Sequence, residues 1–434
     1  MIENIVIRKF EVIAVALVSA LGLAGCSEGF DETSGMCGVS VIAELPAEVA
    51  SASLTNCTVI FKNISTGRET ELEYPVNSGA KVLAGLYDVA FAGEGMLDAT
   101  RRVEVKGMAR SVQIMADGTV VRIDTYCNMA TDDLVICEIF YTGTQQESGN
   151  NYTGDDYIKL YNNTDHVVYA DGLTLFESKF MTTQKQNYRP DIMAEAVTVD
   201  ALYTIPGTGH EHPVQPGEYV LLADIGIDHR TINPNSFSLE HADWEWYDVS
   251  SSPAHMDIDS PQVPNMDKWY CYTQSFFMLH NRGFKAYGIA RIPVTKEEYL
   301  RDYRYDYEYE QVTQAGTFPM SGSAYRLPNE WVVDVVNCSV DSEWKWNVTA
   351  PVLDMGWTSC GQIDADKTRF FHAVRRKLLY VNDDGRAVLK DTNNSTEDFN
   401  SHVTPSEIEL QQTVTQLGGL KAQTITYDGI IQKN

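Results

Sequence analysis

The sequence predicts an all-β protein built from two β-sandwiches, the second carrying large insertions. Three observations lead there. From Gly38 to about residue 126 the chain breaks into short Val-, Ile- and Tyr-rich runs, each bounded by Gly, Asn, Ser or Asp. No apolar period of 3.6 residues interrupts those runs. Further along, "YIKLY" (Tyr157–Tyr161) alternates strictly, so Ile158 and Leu160 share one face and Tyr157, Lys159 and Tyr161 the other. With 434 residues and 44% hydrophobic content, the chain is long enough for two or three packed domains.

The first 25 residues read as a secretory signal. Arg8 and Lys9 supply a positive start, and Val12 to Leu23 form an apolar run too short for a comfortable membrane span. Leu23-Ala24-Gly25-Cys26 resembles the bacterial lipobox, which implies cleavage before Cys26 and acylation of that residue. Each buried acyl CH2 contributes about 0.8 kcal/mol, so several chains make a durable anchor. Residues 26–37 then form an acylated tether, short, acidic and containing Gly and Ser. Its start, Ser27-Glu28-Gly29-Phe30-Asp31-Glu32, resembles the acidic tag of surface-exposed Bacteroidota lipoproteins. The expected location is therefore the outer membrane, lipid-anchored and facing outward.

Residues 38–126 hold the first sandwich. "GVSVIAEL", "CTVIFKN", "RETELEY", "AKVLAGLYDVAFAGEG", "TRRVEVKG" and "RSVQIMADG" supply its six or seven strands. "LAGLYDVAFAGEG" is similar to a hairpin of carboxypeptidase-regulatory-like (prealbumin-like) domains, which implies a spacer. A boundary falls at "YCNMATDD", residues 126–133.

Residues 131–434 hold the second sandwich. "DLVICEIFYTG" opens a strand carrying Glu138. "YIKLY" follows, then the turn Asn162-Asn163-Thr164-Asp165 and the turn Asp171-Gly172. This order, with Pro216-Gly217-Glu218-Tyr219-Val220-Leu221-Leu222-Ala223 and the closing "DTNNSTEDF" (Asp391–Phe399), resembles the lamin-tail domain, an immunoglobulin-like sandwich. Lys159 stands where that family has an acidic residue, and Ala170-Asp171-Gly172-Leu173 shortens its "SGW" step. The region also resembles an uncharacterised family of Bacteroidota lipoproteins. In the closing block, Asp391, Asn393 and Asn394 are expected to bridge loop backbone groups, and Phe399 to plug the sandwich end.

A sandwich needs about a hundred residues, and this region has some three hundred. Insertions are expected at about 178–213, 225–275 and 293–365. Their aromatic content argues for order. Trp244, Trp246 and Tyr247 stand together, and Trp269 follows in "DKWYCY". Tyr303, Tyr305, Tyr307 and Tyr309 alternate with charge, which suggests a half-exposed strand. If exposed, these eight residues would form a ligand-stacking surface. Packed inward, they would be the core of the insertions.

Chemistry is sparse. His210 and His212 flank Glu211 as a candidate metal pair on a Gly/Pro-rich loop, with a third ligand sought from His229, His241 or His255. The Asp257–Asp259 and Asn382–Gly385 stretches lack the spacing of a calcium loop and read as turns. No G-x-S-x-G, H-E-x-x-H, Walker or G-x-G-x-x-G motif occurs, no catalytic residue is singled out and no cofactor is expected. No C-x-x-C pair joins the seven cysteines beyond Cys26. A net charge of -27 argues against nucleic acid and against peripheral attachment to anionic lipid. The expected function is therefore binding of a nutrient, a glycan or a protein partner at the cell surface. By analogy with other surface lipoproteins, it would be accessory to a TonB-dependent transporter. A surface hydrolase acting on polysaccharide or phosphodiester, and a structural or adhesion subunit, are the alternatives.

Overall fold

The computed structural model describes residues 35–430, apart from residues 100, 130, 131, 250–256, 274 and 275. Cys26, the signal-like segment, most of the tether and His255 lie outside the described residues. The fold is all-β and of sandwich type, as the alternating runs predict.

Seven strands between Met36 and Met129 form one sheet. Its order is Glu69–Glu73, Thr55–Asn63, Gly85–Met96, Arg102–Ile114, Thr119–Met129, Met36–Glu44, Ala80–Leu83. Met36–Glu44 runs parallel to Thr119–Met129; every other pairing is antiparallel. Alternate residues turn inward, so Val39, Val59, Phe61, Phe91, Val105 and Ile123 form a buried core. "RRVEVKG" and "RSVQI" are one 13-residue strand rather than two. Ser111, at φ 52°, bends it where the register slips, and its N–H donates to Asp88 Oδ1 at 2.9 Å.

The rest of the chain builds two facing sheets. The six-stranded sheet runs Trp244–Glu245, Tyr219–Ala223, Tyr157–Tyr161, Val135–Phe140, Ala373–Arg376, Phe399–Val403. The larger sheet runs Arg304–Thr313, Gly316–Pro328, Ala196–Thr204, Leu173–Ser178, Ala286–Arg291, Val332–Ser339, Thr358–Ser359, and Asp267–Cys271 also pairs with Ala196–Thr204. Ile158, Leu160, Val220, Leu222 and Val374 meet Leu175, Ala201, Tyr203, Ile289 and Val336 between the sheets. The stretches expected as insertions thus supply strands of the larger sheet, Ala196–Thr204 at its centre.

Both sheets are covered on both faces over their central strands, which explains the aromatic load, while the far end of the Arg304–Thr313 and Gly316–Pro328 hairpin stands in solvent. Residues 225–242, Val263 and the C-terminal segment cover the outer face of the six-stranded sheet through Phe237, Leu239, Val263 and Ile408. Trp269, Tyr299, Tyr303, Trp346 and Val348 cover the outer face of the larger one. The seven cysteines between Cys37 and Cys360 are free thiols, six of them buried.

The N-terminal seven-stranded sheet is joined to the two facing sheets through the closing loop. Met129 N–H donates to Asp391 O at 2.6 Å, and Asp391 N–H to Asn128 Oδ1 at 2.6 Å. Arg101 Nη1 donates to Thr392 O at 2.7 Å, and the Tyr126 and Tyr380 rings lie 4.4 Å apart.

Candidate functional site

A cleft of about 750 Å³ opens on the outer face of the six-stranded sheet, where the covering segments leave a gap. Strand alternation dictates its floor. Ile158 and Leu160 point into the sandwich, so Lys159 points out, beside its register partner Glu138 and near Arg375. The short helix Ser406–Gln411 and residues 425–427 form one wall, and Pro216, Gly217 and the Asp384–Arg386 turn form the other. Tyr219, 53% exposed, and Tyr427, 54% exposed, stand at the mouth with Leu410 and Ile425.

The floor charges neutralise one another. Lys159 Nζ lies 2.5 Å from Glu407 Oε1 and donates to Ser406 Oγ at 2.6 Å. Glu138 Oε1 accepts from Tyr157 O–H at 2.6 Å and from Ser406 N–H at 2.8 Å. Arg375 pairs with Glu409 at 2.8 Å and donates to the carbonyls of Thr404, Thr426 and Tyr427. His241 Nε2 lies 3.0 Å from Glu407 Oε2. Burial would raise the Glu407 carboxyl, but His241 and Lys159 outweigh it and hold its pKa at about 2. Burial would lower the Lys159 ammonium, yet Glu407 and Glu138 leave it above its ordinary value. Burial pushes the Cys137 thiol and the Tyr161 phenol each up to about 12, so neither ionises near neutrality.

Above this floor the groups are freer. The hydroxyls of Tyr219 and Tyr427 make no hydrogen bond among the described residues, and the Asp384 carboxylate and Arg386 guanidinium reach the rim. The arrangement suits stacking plus hydrogen bonding to a polar, ring-bearing molecule.

A second cleft, of about 900 Å³, lies among the former insertions. Phe180 and Tyr188 stack at 3.7 Å, Tyr188 lies 6.2 Å from Trp346, and Trp344 stacks on Trp357 at 5.5 Å. Lys185, Arg189 and Lys345 edge it.

Residues 215–406 match the family model described as "Protein of unknown function (DUF4876)". That span contains Tyr219, Arg375 and the closing loop, but not Lys159 or Tyr427. The crystal structure of a DUF4876 family protein from Bacteroides thetaiotaomicron VPI-5482, at 2.50 Å resolution, is similar over 85% of this chain and 95% of that one, with a TM-score of 0.58 and 20% identity. At that identity the likeness establishes the fold. No curated protein matches the chain.

The residues singled out in the sequence fall elsewhere than on an open platform. Trp244 and Trp246 are buried, Trp246 against Phe277 in the inter-sheet core, because their short strand extends the six-stranded sheet. Tyr305 and Tyr307 do share a face, but Phe180 and Tyr188 cover it; Tyr303 and Tyr309, at the two ends of the series, are half-buried. Tyr303 stacks on Tyr299, Trp269 packs against the same ring, and Tyr247 is half-buried. These eight therefore form no exposed stacking surface. Tyr305 reaches the wall of the second cleft, and Tyr309 that of a smaller hollow beside it.

The two candidate metal ligands diverge. His210 packs edge-on against Tyr169 at 4.7 Å, and His212 against Trp244 at 5.0 Å. His212 instead comes within 4.8 Å of Asp171 and Glu211 donor atoms. Asp171 is already engaged, accepting the N–H groups of Gly209, Glu211 and His212 at 2.8–3.1 Å, so the trio staples its own loop. His229 is buried between Tyr152 O–H and Ile225 O, and burial lowers its pKa to about 4.

Two further polar clusters lie inside. Arg376 is buried among Asp334, Asp391 and Asp398. At one end of the inter-sheet core, Asp156 and Asp224 sit on neighbouring strands, linked by Asp224 N–H to Asp156 O at 2.9 Å. Among the described residues, neither Asp156 carboxyl oxygen has a partner within hydrogen-bond geometry. Burial, then nearby carboxylates, raises both acids well above the usual range, favouring their neutral form.

Proposed function

We propose that this protein is a lipid-anchored binding module of the outer cell surface, with its ligand seated between Tyr219 and Tyr427. The observation that carries this reading is a pair of half-exposed tyrosines framing a deep cleft whose charged floor is internally neutralised. Such a floor adds hydrogen-bonding texture without an uncompensated charge, which suits a neutral sugar or similar polar nutrient. Glu138 and Glu409 are each committed to several partners, which favours binding over hydrolysis at this site. The lipobox-like Cys26 and the acidic residues after it support the anchor and the outward orientation. Glu138, "YIKLY", "PGEYVLLA" and the closing loop, all lying on or beside one sheet, support a lamin-tail-like second sandwich; the first is read as a prealbumin-like spacer. Accessory service to an outer-membrane transporter follows by analogy alone.

The test is a panel of neutral oligosaccharides titrated against the detergent-solubilised full chain and its Tyr219→Ala/Tyr427→Ala variant. A ligand that binds the parent and is lost in the variant upholds the proposal. Binding unaffected by the double substitution, or none across the panel, overturns it. Protease shaving of intact cells that spares the protein would refute the outward orientation.

A further inference from the structure

The second cleft has a chemistry of its own. It lies in a chain whose acids outnumber its bases, 60 to 33. Yet three exposed cations, Lys185, Arg189 and Lys345, edge this one hollow, and none forms an ion pair among the described residues. Lys185 Nζ sits 5.7 Å from the Trp346 ring centroid, a cation–π contact rather than a carboxylate contact. The cleft's own acids leave the cations unanswered. Asp354 is buried and held by Asn337, Gly356 and Ser395, while Asp191 Oδ1 accepts the N–H of Met193. Elsewhere in the molecule exposed bases do find acids, as in Lys62–Glu69, Arg122–Glu44 and Lys106–Glu104.

The rings complete the site. Trp344 is 37% exposed and braced flat against Trp357, with Nε1 donating to Asn347 Oδ1 at 3.1 Å. Trp346 is fixed by Nε1 donation to Met181 O at 2.9 Å. An indole held by stacking and a hydrogen bond loses little entropy when a ring settles on it. The volume lies within the range that buries a drug-sized ligand. The cations come from two different loops, which suits several charges spread along an extended molecule better than one compact anion.

We propose that this cleft binds an acidic oligosaccharide, its pyranose rings on Trp344 and its carboxylate or sulfate groups on Lys185, Arg189 and Lys345. It is a site separate from the Tyr219–Tyr427 cleft, and the two stand or fall independently.

The test uses the full mature chain in detergent, with oligogalacturonate and chondroitin sulfate hexasaccharides as probes and maltohexaose as the neutral control. Tryptophan fluorescence and calorimetry report binding. At least one acidic probe is expected to bind, and which one tells carboxylate from sulfate. Its affinity should fall about tenfold or more in the Lys185→Ala/Arg189→Ala/Lys345→Ala variant, and clearly when salt is raised about tenfold. Trp344→Ala should weaken it and remove the fluorescence change. The cation changes are on exposed side chains, and an unchanged melting temperature confirms that the fold is kept. Equal binding of maltohexaose that persists in Tyr219→Ala/Tyr427→Ala, no binding of either acidic probe, or an affinity untouched by the triple substitution would overturn the proposal. So would loss of acidic-probe binding in Tyr219→Ala/Tyr427→Ala, which would move the ligand to the other cleft.

Discussion

Replacing Arg376 with Met tests how the second sandwich is locked. The guanidinium donates to Ile136 O at 2.8 Å, Lys390 O at 3.2 Å, Asp391 Oδ1 at 3.0 Å and Asp334 Oδ2 at 2.5 Å, and lies 3.9 Å from Asp398 Oδ2. It stacks 4.7 Å above the Phe399 ring, and all three carboxylates are buried. Met keeps the stem over Phe399 but leaves three acids with no cation. Breaking a buried pair from one side costs about 3–5 kcal/mol. Two backbone carbonyls also lose a donor, at about 1 kcal/mol each. Proton uptake by the stranded acids returns part of that, so the expected net loss at pH 8 is about 4 kcal/mol. The pH dependence has a definite sign. Burial already raises all three carboxyls, against the pull of Arg376. Removing Arg376 raises them further, so the native variant binds protons that the unfolded chain releases. The deficit is then largest at high pH and shrinks toward pH 4. Guanidinium denaturation at pH 8 and pH 5, followed by tryptophan fluorescence, measures it. A loss below about 1 kcal/mol at pH 8, or one independent of pH, would refute a charge-locked loop. Arg376→Lys keeps the charge without the fork and should fall between parent and Met.

Other outcomes follow from the same reasoning. Asp156→Asn should stabilise by about 1 kcal/mol or more at pH 8, because it removes an unpartnered buried acid. Since that acid's folded pKa is raised, the gain should vanish below pH 4 in parallel melting curves. Glu407→Gln should cost about 3 kcal/mol at pH 7. The Glu407 carboxyl is held at about 2, so its contribution is complete above the ordinary carboxylate range and is lost as pH falls through about 2. Gly288→Ala would place a Cβ 2.2 Å from Phe176 Cζ and 2.9 Å from Asp334 O, and should cost about 1–3 kcal/mol by denaturant midpoint.

Alternation made the sheets legible and left their coverings hidden. Ile158 and Leu160 point into the sandwich as the period of two requires. The pattern is silent about whether the opposite face meets water. Lys159 reads only as lying opposite Ile158 and Leu160, and Glu407, 248 positions later, is what buries and pairs it. Tyr305 and Tyr307 share a face as spaced, but Phe180 and Tyr188 close over it. The cleft escaped notice for the same reason: Tyr219 lies in a segment that reads as a plain strand, and Tyr427 near the C-terminus carries no local signal. The closing block was more readable. Phe399 packs into the inter-sheet core, Asp391 bridges to Arg376, and Asp398 carries most of the turn, through Thr392 and Asn394.

The joint between the sandwiches has a mechanical consequence. Asn128 and Met129 grip residues 389–391, and Arg101 grips Thr392, at or beside Asp391, one of the three acids that enclose Arg376. Tension entering from the N-terminal end would travel along Thr119–Met129 into that loop. The buried Arg376 network would share the pull with the strand Val135–Phe140, into which the backbone leads.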